Sequence, residues 1–341
     1  DNVEVDLANF LIIPKKYTVN YIDSEINIDG KDNESQWKKA SKTTDFIDIS
    51  NNKKPLQKTY MKMLWDDENL YIYARLYEEH IWGDITKRDA VIFKNNDFEV
   101  FLKPSIIHTN YGELEINALG TVWDLLLNKP YRLGGKANTK WNIDNLKSDV
   151  YISGTINDPG DEDYYWSTEI SIPLNEILEI NGPDYKKVKS GDIWRANFSR
   201  VQWEHDISDG KYLRKKENNK LKREYNWVWS RQGQINMHIP ENWGFIYFNN
   251  KNEINTDFDL KIDIKTEQYG YALFEKIKYK ELKYLNDKTI DERIQFNSNS
   301  LKNNNISAEF IKTKDGFIIK CKNEVDDFIY TINQEGIIKY K

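Results

Sequence analysis

Across residues 1–250, apolar and polar side chains alternate in short runs broken by turn residues, and the 3.6-residue spacing of a helix is nearly absent. This pattern constrains the fold more than any other feature of the chain. The run Leu70-Tyr71-Ile72-Tyr73-Ala74-Arg75-Leu76-Tyr77 puts Leu70, Ile72, Ala74 and Leu76 on one face. Tyr71, Tyr73, Arg75 and Tyr77 fall on the other, as in a half-buried strand. A strand over 59–64 precedes it, and the polar link Asp66-Asp67-Glu68-Asn69 predicts a hairpin. Further strands are predicted over 98–103, where Pro104 stops the run, and over 113–118 and 122–127, which flank the turn Gly120-Thr121. Others are predicted over 149–156, 165–172, 194–203, 227–230 and 244–248. Pro173 opens one helical turn over 173–178. Many short strands with turn signals between them predict a mainly β protein, an antiparallel sandwich or a barrel.

A polar, Asn- and Lys-rich stretch over 249–255 places a domain boundary, giving units 1–250 and 251–341. In the second unit, Phe258, Ile262, Tyr269, Ala272, Leu273 and Ile277 approach helical spacing. Alternating runs follow at 308–311, 317–321, 328–332 and 337–340, so a small α+β unit is expected. The chain carries 11 Trp, 21 Tyr and 14 Phe, too many large side chains for a disordered protein. No run approaches the roughly 20 apolar residues that span a bilayer. The net charge of −6 does not favour phosphate binding, so no nucleic-acid partner is expected. The single cysteine, Cys321, excludes a disulfide within the chain and reads as a packed strand residue. The sequence begins at Asp1, which fits a chain processed after export.

The familiar catalytic templates are missing. None of His80, His108, His205 and His238 lies in an H-E-x-x-H pattern, and there is neither a nucleophile elbow nor a phosphate-cradling glycine loop. Glu99, Glu115 and Glu169 sit inside predicted strands. A solvated strand face is the ordinary reading; paired carboxylates of a glycosidase are the other. The segment from Trp227 to His238 is dense in aromatic, amide and cationic groups and resembles a loop, the usual place for binding residues. Flat aromatic faces with polar partners suit sugars. The run Asn157-Asp158-Pro159-Gly160-Asp161-Glu162-Asp163 offers Asp158, Asp161 and Asp163 as calcium ligands, or is simply a polar turn.

Six motifs, in order, resemble the family 9 carbohydrate-binding module in the long, stand-alone exported form of Bacteroidetes-type bacteria. They are Ile28-Asp29-Gly30 leading to Trp37, the hairpin from Lys62 to Ile72, Asn96-Asp97-Phe98-Glu99-Val100-Phe101-Leu102, Trp166-Ser167-Thr168-Glu169-Ile170-Ser171-Ile172-Pro173, Gly191 to Arg200, and Asn236 to Gly244. The match covers roughly residues 20–250. The resemblance implies a β-sandwich with a small C-terminal α+β extension, export to the periplasm, cell surface or medium, bound calcium, and glycan binding without cleavage. In the sugar-binding members two Trp clamp a terminal sugar while Glu, Arg and Asn hold its hydroxyls. Carried over by position, the Glu falls on Glu99 and one Asn on Asn117. The Arg position falls on Glu115, and the stacking positions fall near Phe93 and Met237. Trp229, Arg231 and His238 lie beside this pocket in sequence and are candidate substitutes.

The expected function is therefore that of a monomeric, exported, non-catalytic protein that binds an oligo- or polysaccharide. Two alternatives stay open. One is a polysaccharide-acting enzyme of glycoside hydrolase type using Glu99, Glu115 and His238. The other is a haem-binding sandwich with Met237 or His238 as axial ligand.

Overall fold

The computed structural model describes residues 1–105, 108–254, 257–260 and 263–340; Ile262, counted above in the helical spacing, lies outside them. The chain forms two compact units. One comprises Pro14–Pro104 and Asn110–Phe258; the other comprises Asp1–Ile13, Ser105–Thr109 and Asp259–Lys341.

The larger unit is built from β1 (Lys16–Tyr21), β2 (Ile47–Asp48), β3 (Thr59–Trp65), β4 (Asn69–Tyr77), β5 (Asp97–Lys103), β6 (Tyr111–Asn117), β7 (Val122–Leu127), β8 (Ala137–Asn138), β9 (Lys147–Ser153), β10 (Tyr165–Pro173), β11 (Ile193–Gln202), β12 (Tyr225–Val228) and β13 (Gly244–Phe248). Among the described residues they run in the order β9-β10-β4-β3-β1-β13-β11-β5-β6-β7-β8, with β12 also pairing β11 and β2. The ladder folds over at β1. Its Lys16–Val19 stretch pairs with β13 and its Asn20 and Tyr21 with β3, both in parallel. All other pairings are antiparallel. The expected antiparallel sandwich is thus present, with one parallel strand joining its two halves. That strand was not predicted, because its partners lie far away in sequence.

Alternation sends one face of each half into a shared core. Met61, Met63, Ile72, Ala74 and Leu76 meet Phe98, Val100, Leu102, Leu114 and Phe198 there. The opposite faces are also covered, which the half-buried reading of Tyr71 and Tyr73 did not foresee. On the first half, Trp37, Tyr60, Tyr71 and Tyr73 pack together. On the second half, Phe101, Tyr111, Leu125, Met237 and Trp243 do so. Strand carboxylates are therefore buried and not on a wet face: Glu99, Glu115 and Glu169 are 6%, 1% and 0% exposed. Glu169 ties two of the sequence motifs together. It accepts from Trp37 Nε1 at 2.9 Å and from the backbone N–H groups of Asp29 and Gly30 at 2.8 and 3.1 Å. Gly30 has φ +84°, and a Cβ there would fall 2.6 Å from the Tyr151 backbone nitrogen, so only glycine fits this turn.

The smaller unit carries a helix, Ile264–Tyr279, capped at its start by Asp263, whose side chain accepts from Thr266 N at 3.0 Å. Its sheet takes Asn2–Glu4 in parallel beside Arg293–Asn297, then Ile306–Thr313, Gly316–Asn323, Ile329–Asn333 and Ile338–Tyr340. Cys321 is buried in that sheet, as expected for a packing residue. Among the described residues, no helix is long and apolar enough to cross a membrane.

Candidate functional site

The outer face of the second half carries an unusual concentration of carboxyl groups. Residues two apart in a strand share a face, so β5 presents Asp97, Glu99 and Phe101 together and β6 presents Glu113, Glu115 and Asn117. The register sets Glu99 opposite Glu115, Phe101 opposite Glu113 and Asp97 opposite Asn117. On the flanking strands Ser199 stands opposite Glu99, and Trp123 opposite Glu115. One oxygen each of Asp97, Glu99 and Glu115 lies within 4.8 Å of the others.

Above this floor opens a cavity of ≈ 290 Å³. Glu99, Glu113 and Glu115 line it from below. Phe93, Trp123, Tyr131, Met237 and His238 wall it, and Arg223 and Glu224 stand at its side. Phe93 is 41% exposed. Its ring lies 6.4 Å from that of Trp123, and its backbone N–H donates to Glu115 Oε2 at 3.0 Å. The site aromatic and the site carboxylate are thus held by each other.

Electrostatically the floor is frustrated. Burial raises all four carboxyl pKa values, and for Asp97, Glu99 and Glu115 neighbouring carboxylates add to the effect. Glu99 is pushed up to about 8 and Glu113 to about 7, while Asp97 and Glu115 rise well above the usual carboxylate range. His238 is pushed the opposite way, to about 4, by burial, so it is neutral near pH 7. Its Nδ1 is hydrogen-bonded to the Tyr111 hydroxyl at 2.6 Å, and its Nε2 lies 4.0 Å from Glu113.

Of the residues singled out from the sequence, Phe93, Glu99, Glu115, Met237 and His238 meet around this one cavity. Three others do not reach it as free ligand groups. Asn117 is fully buried and spends its amide on the hairpin: Oδ1 accepts from Leu119 N and Thr121 N, and Nδ2 donates to Ile85 O. Trp229 lies on the wrong side of its strand. Val228 faces the outer cluster, so Trp229, one residue on, turns into the core. There it is 3% exposed, with its ring edge against Phe198 at 5.8 Å. Arg231 does not line the cavity.

The three carboxylates predicted to hold calcium accept hydrogen bonds from protein groups. Asp163 accepts from Ile81 N and Thr155 N, Asp161 from the Thr155 hydroxyl, and Asp158 from Gly160 N. Asp158 closes a local turn and Asp163 ties this loop to Ile81 across the fold, and the three are not among the acidic groups of the described residues that converge within 4.8 Å. Among the described residues, the converging acidic groups are instead Asp97 with Glu99 and Glu115, and Asp29 with Glu34 and Glu169.

Asp97, Glu113, Trp123 and Tyr131 were not singled out from the sequence. The signal was present for three of them. Asp97 and Glu113 lie two residues from Glu99 and Glu115, and the Gly120-Thr121 hairpin brings Trp123 across from Glu115. Tyr131 enters from a 3₁₀ turn at Tyr131–Leu133, which carried no pattern.

A β-sandwich with a walled cavity on one outer face defines the class of this molecule. Among solved structures it is similar in fold to a protein of Bacteroides uniformis assigned only provisionally as carbohydrate-binding, with 13% identity and a TM-score of 0.52, covering 69% of this chain and 99% of that one. Two structures of a family 9 carbohydrate-binding module from Caldicellulosiruptor kristjanssonii also align. The complex with glucose has 15% identity, TM-score 0.46, and covers 71% of this chain and 100% of the module. The complex with cellotriose has 14% identity, TM-score 0.45, and covers 72% and 100%. No protein-family model and no curated protein matches the chain.

Proposed function

We propose that the sandwich unit is an exported, monomeric, non-catalytic carbohydrate-binding protein that holds a glycan in the cavity above Glu99 and Glu115. The observation that carries this reading is the pairing of the exposed Phe93 ring with Trp123 directly over buried carboxyl groups. Sugars need that combination, since their C–H faces are apolar and their hydroxyls need fixed polar partners. The fold shared with the Bacteroides protein and the six family-like motifs support it.

The test is a broad glycan array followed by calorimetry. Phe93→Ala is expected to weaken binding of the ligand so found by about tenfold, the worth of roughly one good aromatic contact. The melting temperature should barely move, because the ring is already half in solvent. Trp229→Ala is expected to behave in the opposite way. It should cost about 3–5 kcal/mol of stability and leave the affinity of the folded fraction unchanged. A blank array overturns the reading.

One observation favours a second reading. The carboxylates of Glu99 and Glu115 approach within 4.8 Å, near the roughly 5 Å separation of retaining glycosidases. Reducing-sugar release that Glu99→Gln abolishes would establish this reading in place of the first. The acidic floor disfavours haem, whose propionates are themselves anionic.

A further inference from the structure

Resting on the glycan-binding reading, we infer that the cavity selects a sugar that carries a protonated amine, with the ammonium seated on Glu99 and Glu115 and the ring faces against Phe93 and Trp123. Three features lead there.

The first is charge. Glu99, Glu113, Glu115 and Glu224 line the cavity against one guanidinium, Arg223, and Asp97 lies beneath them.

The second is unmet hydrogen bonding. Ser199 Oγ is fully buried and without a hydrogen-bond partner, and the buried Asp97 carboxyl is paired with Glu115 only through a proton that one of the two must hold. Both belong to the sheet face that presents the cluster, Ser199 opposite Glu99 and Asp97 two residues before it. Buried polar atoms are rarely left in this state unless a ligand, ion or water completes them. A cation drawn onto Glu99 and Glu115 supplies the missing positive charge and releases the protons that the crowded carboxyls otherwise hold.

The third is the wall. A bare calcium ion asks for six to eight oxygens around it, and here carboxylates rise from one side while Phe93, Trp123 and Tyr131 line other parts of the wall. An ammonium has three donors for the floor, and aromatic faces attract a cation. The ≈ 290 Å³ volume lies at the small end of small-molecule sites, which suits a single sugar ring.

The experiment compares three β-1,4-linked trimers by calorimetry at one pH near neutrality: the glucosamine trimer, its N-acetylated form, and cellotriose. The glucosamine trimer is expected to bind at least about tenfold more tightly than the other two, the scale of one desolvated charge contact. Glu99→Gln should erase that preference while circular dichroism and melting temperature show an intact fold. Should Glu99→Gln not fold, Glu113→Gln on the same floor is expected to reduce the preference in its place. Equal or tighter binding of cellotriose or of the acetylated trimer overturns the inference and leaves the glycan-binding reading standing. A calcium-induced rise in melting temperature that Glu99→Gln abolishes, with no amine preference, makes the cluster a metal site and also overturns it. No binding of any trimer, together with a blank glycan array, removes both readings.

Discussion

Raising the pH from about 6.5 to about 8.5 is expected to lower the melting temperature of the ligand-free protein. In the folded state burial holds Glu99 up at about 8 and Glu113 and Glu169 at about 7, against the ordinary glutamate value of 4.5. Asp97 and Glu115 are also raised well above the usual carboxylate range, by burial and by their neighbouring carboxyls. Between about 4.5 and 8 the native protein therefore binds more protons than the unfolded chain, and stability falls as pH rises through that window. His238 acts in the other direction. Its folded value of about 4 lies below the ordinary histidine value of 6.5, so its contribution is lost as pH drops through that range. Above pH 6.5 the unfolded imidazole is more than half neutral and loses its remaining charge by about pH 7.5, so the carboxyls dominate the window. The groups facing them are Arg223, Glu224 and the high-titrating phenols of Tyr111 and Tyr131, none of which reverses the sign. One pKa unit is worth about 1.4 kcal/mol, and a domain of this size shifts by about 2–4 °C per kcal/mol. A fall on the order of 5 °C is expected in a thermal scan. Glu115→Gln should flatten the dependence and raise the melting temperature at pH 8.5, because a neutral amide can keep the Phe93 N–H bond without the repulsion. A melting temperature that is flat or rising from pH 6.5 to 8.5 would refute a buried carboxyl floor.

The fold was legible wherever partners are close in sequence. The hairpin of β3 and β4 shows in the alternation from Leu70 to Tyr77, and that of β6 and β7 in Gly120-Thr121. The parallel strand β1 was not legible. Its sequence Lys16-Tyr17-Thr18-Val19-Asn20-Tyr21 becomes a strand by pairing with residues about 45 and 230 positions away. Period two assigns residues to faces but does not say whether a face is wet. Nothing in the sequence of β5 and β6 shows that the stretch through Met237 and Trp243 covers their outer side. This is why Glu99 and Glu115 were first read as solvated. The same rule explains the misplacement of Trp229: nearness in sequence to Met237 and His238 suggested the site, while the alternation of Val228 and Trp229 sends the indole into the core.

Arg200→Met is expected to destabilise the fold as severely as any single change argued for this chain. Arg200 is fully buried, and its guanidinium bonds to Lys58 O, Thr59 Oγ1, Gln57 Oε1, Tyr77 O and Gln202 Oε1 at 2.9–3.2 Å. It also lies 5.0 Å from the Trp227 ring and 3.8 Å from Glu78. Burial draws its titration down to about 10, and Glu78 works against that shift. Glu78, in turn, accepts from Asn96, Gln202 and Trp166. Removing the arginine leaves backbone carbonyls and a buried carboxyl without their cation, a loss of about 3–5 kcal/mol. Glu78→Gln added to Arg200→Met should cost less than the sum of the two alone, since the pair answers for one another's burial. Urea midpoints for the two single variants and the double variant measure this directly. A loss below about 1 kcal/mol for Arg200→Met would show the guanidinium to be replaceable packing. Arg200 alternates with Ser199 along β11, so it points away from the carboxyl floor. Its loss should therefore reduce glycan binding only in proportion to the unfolded fraction, whereas Glu99→Gln should alter binding with the fold intact.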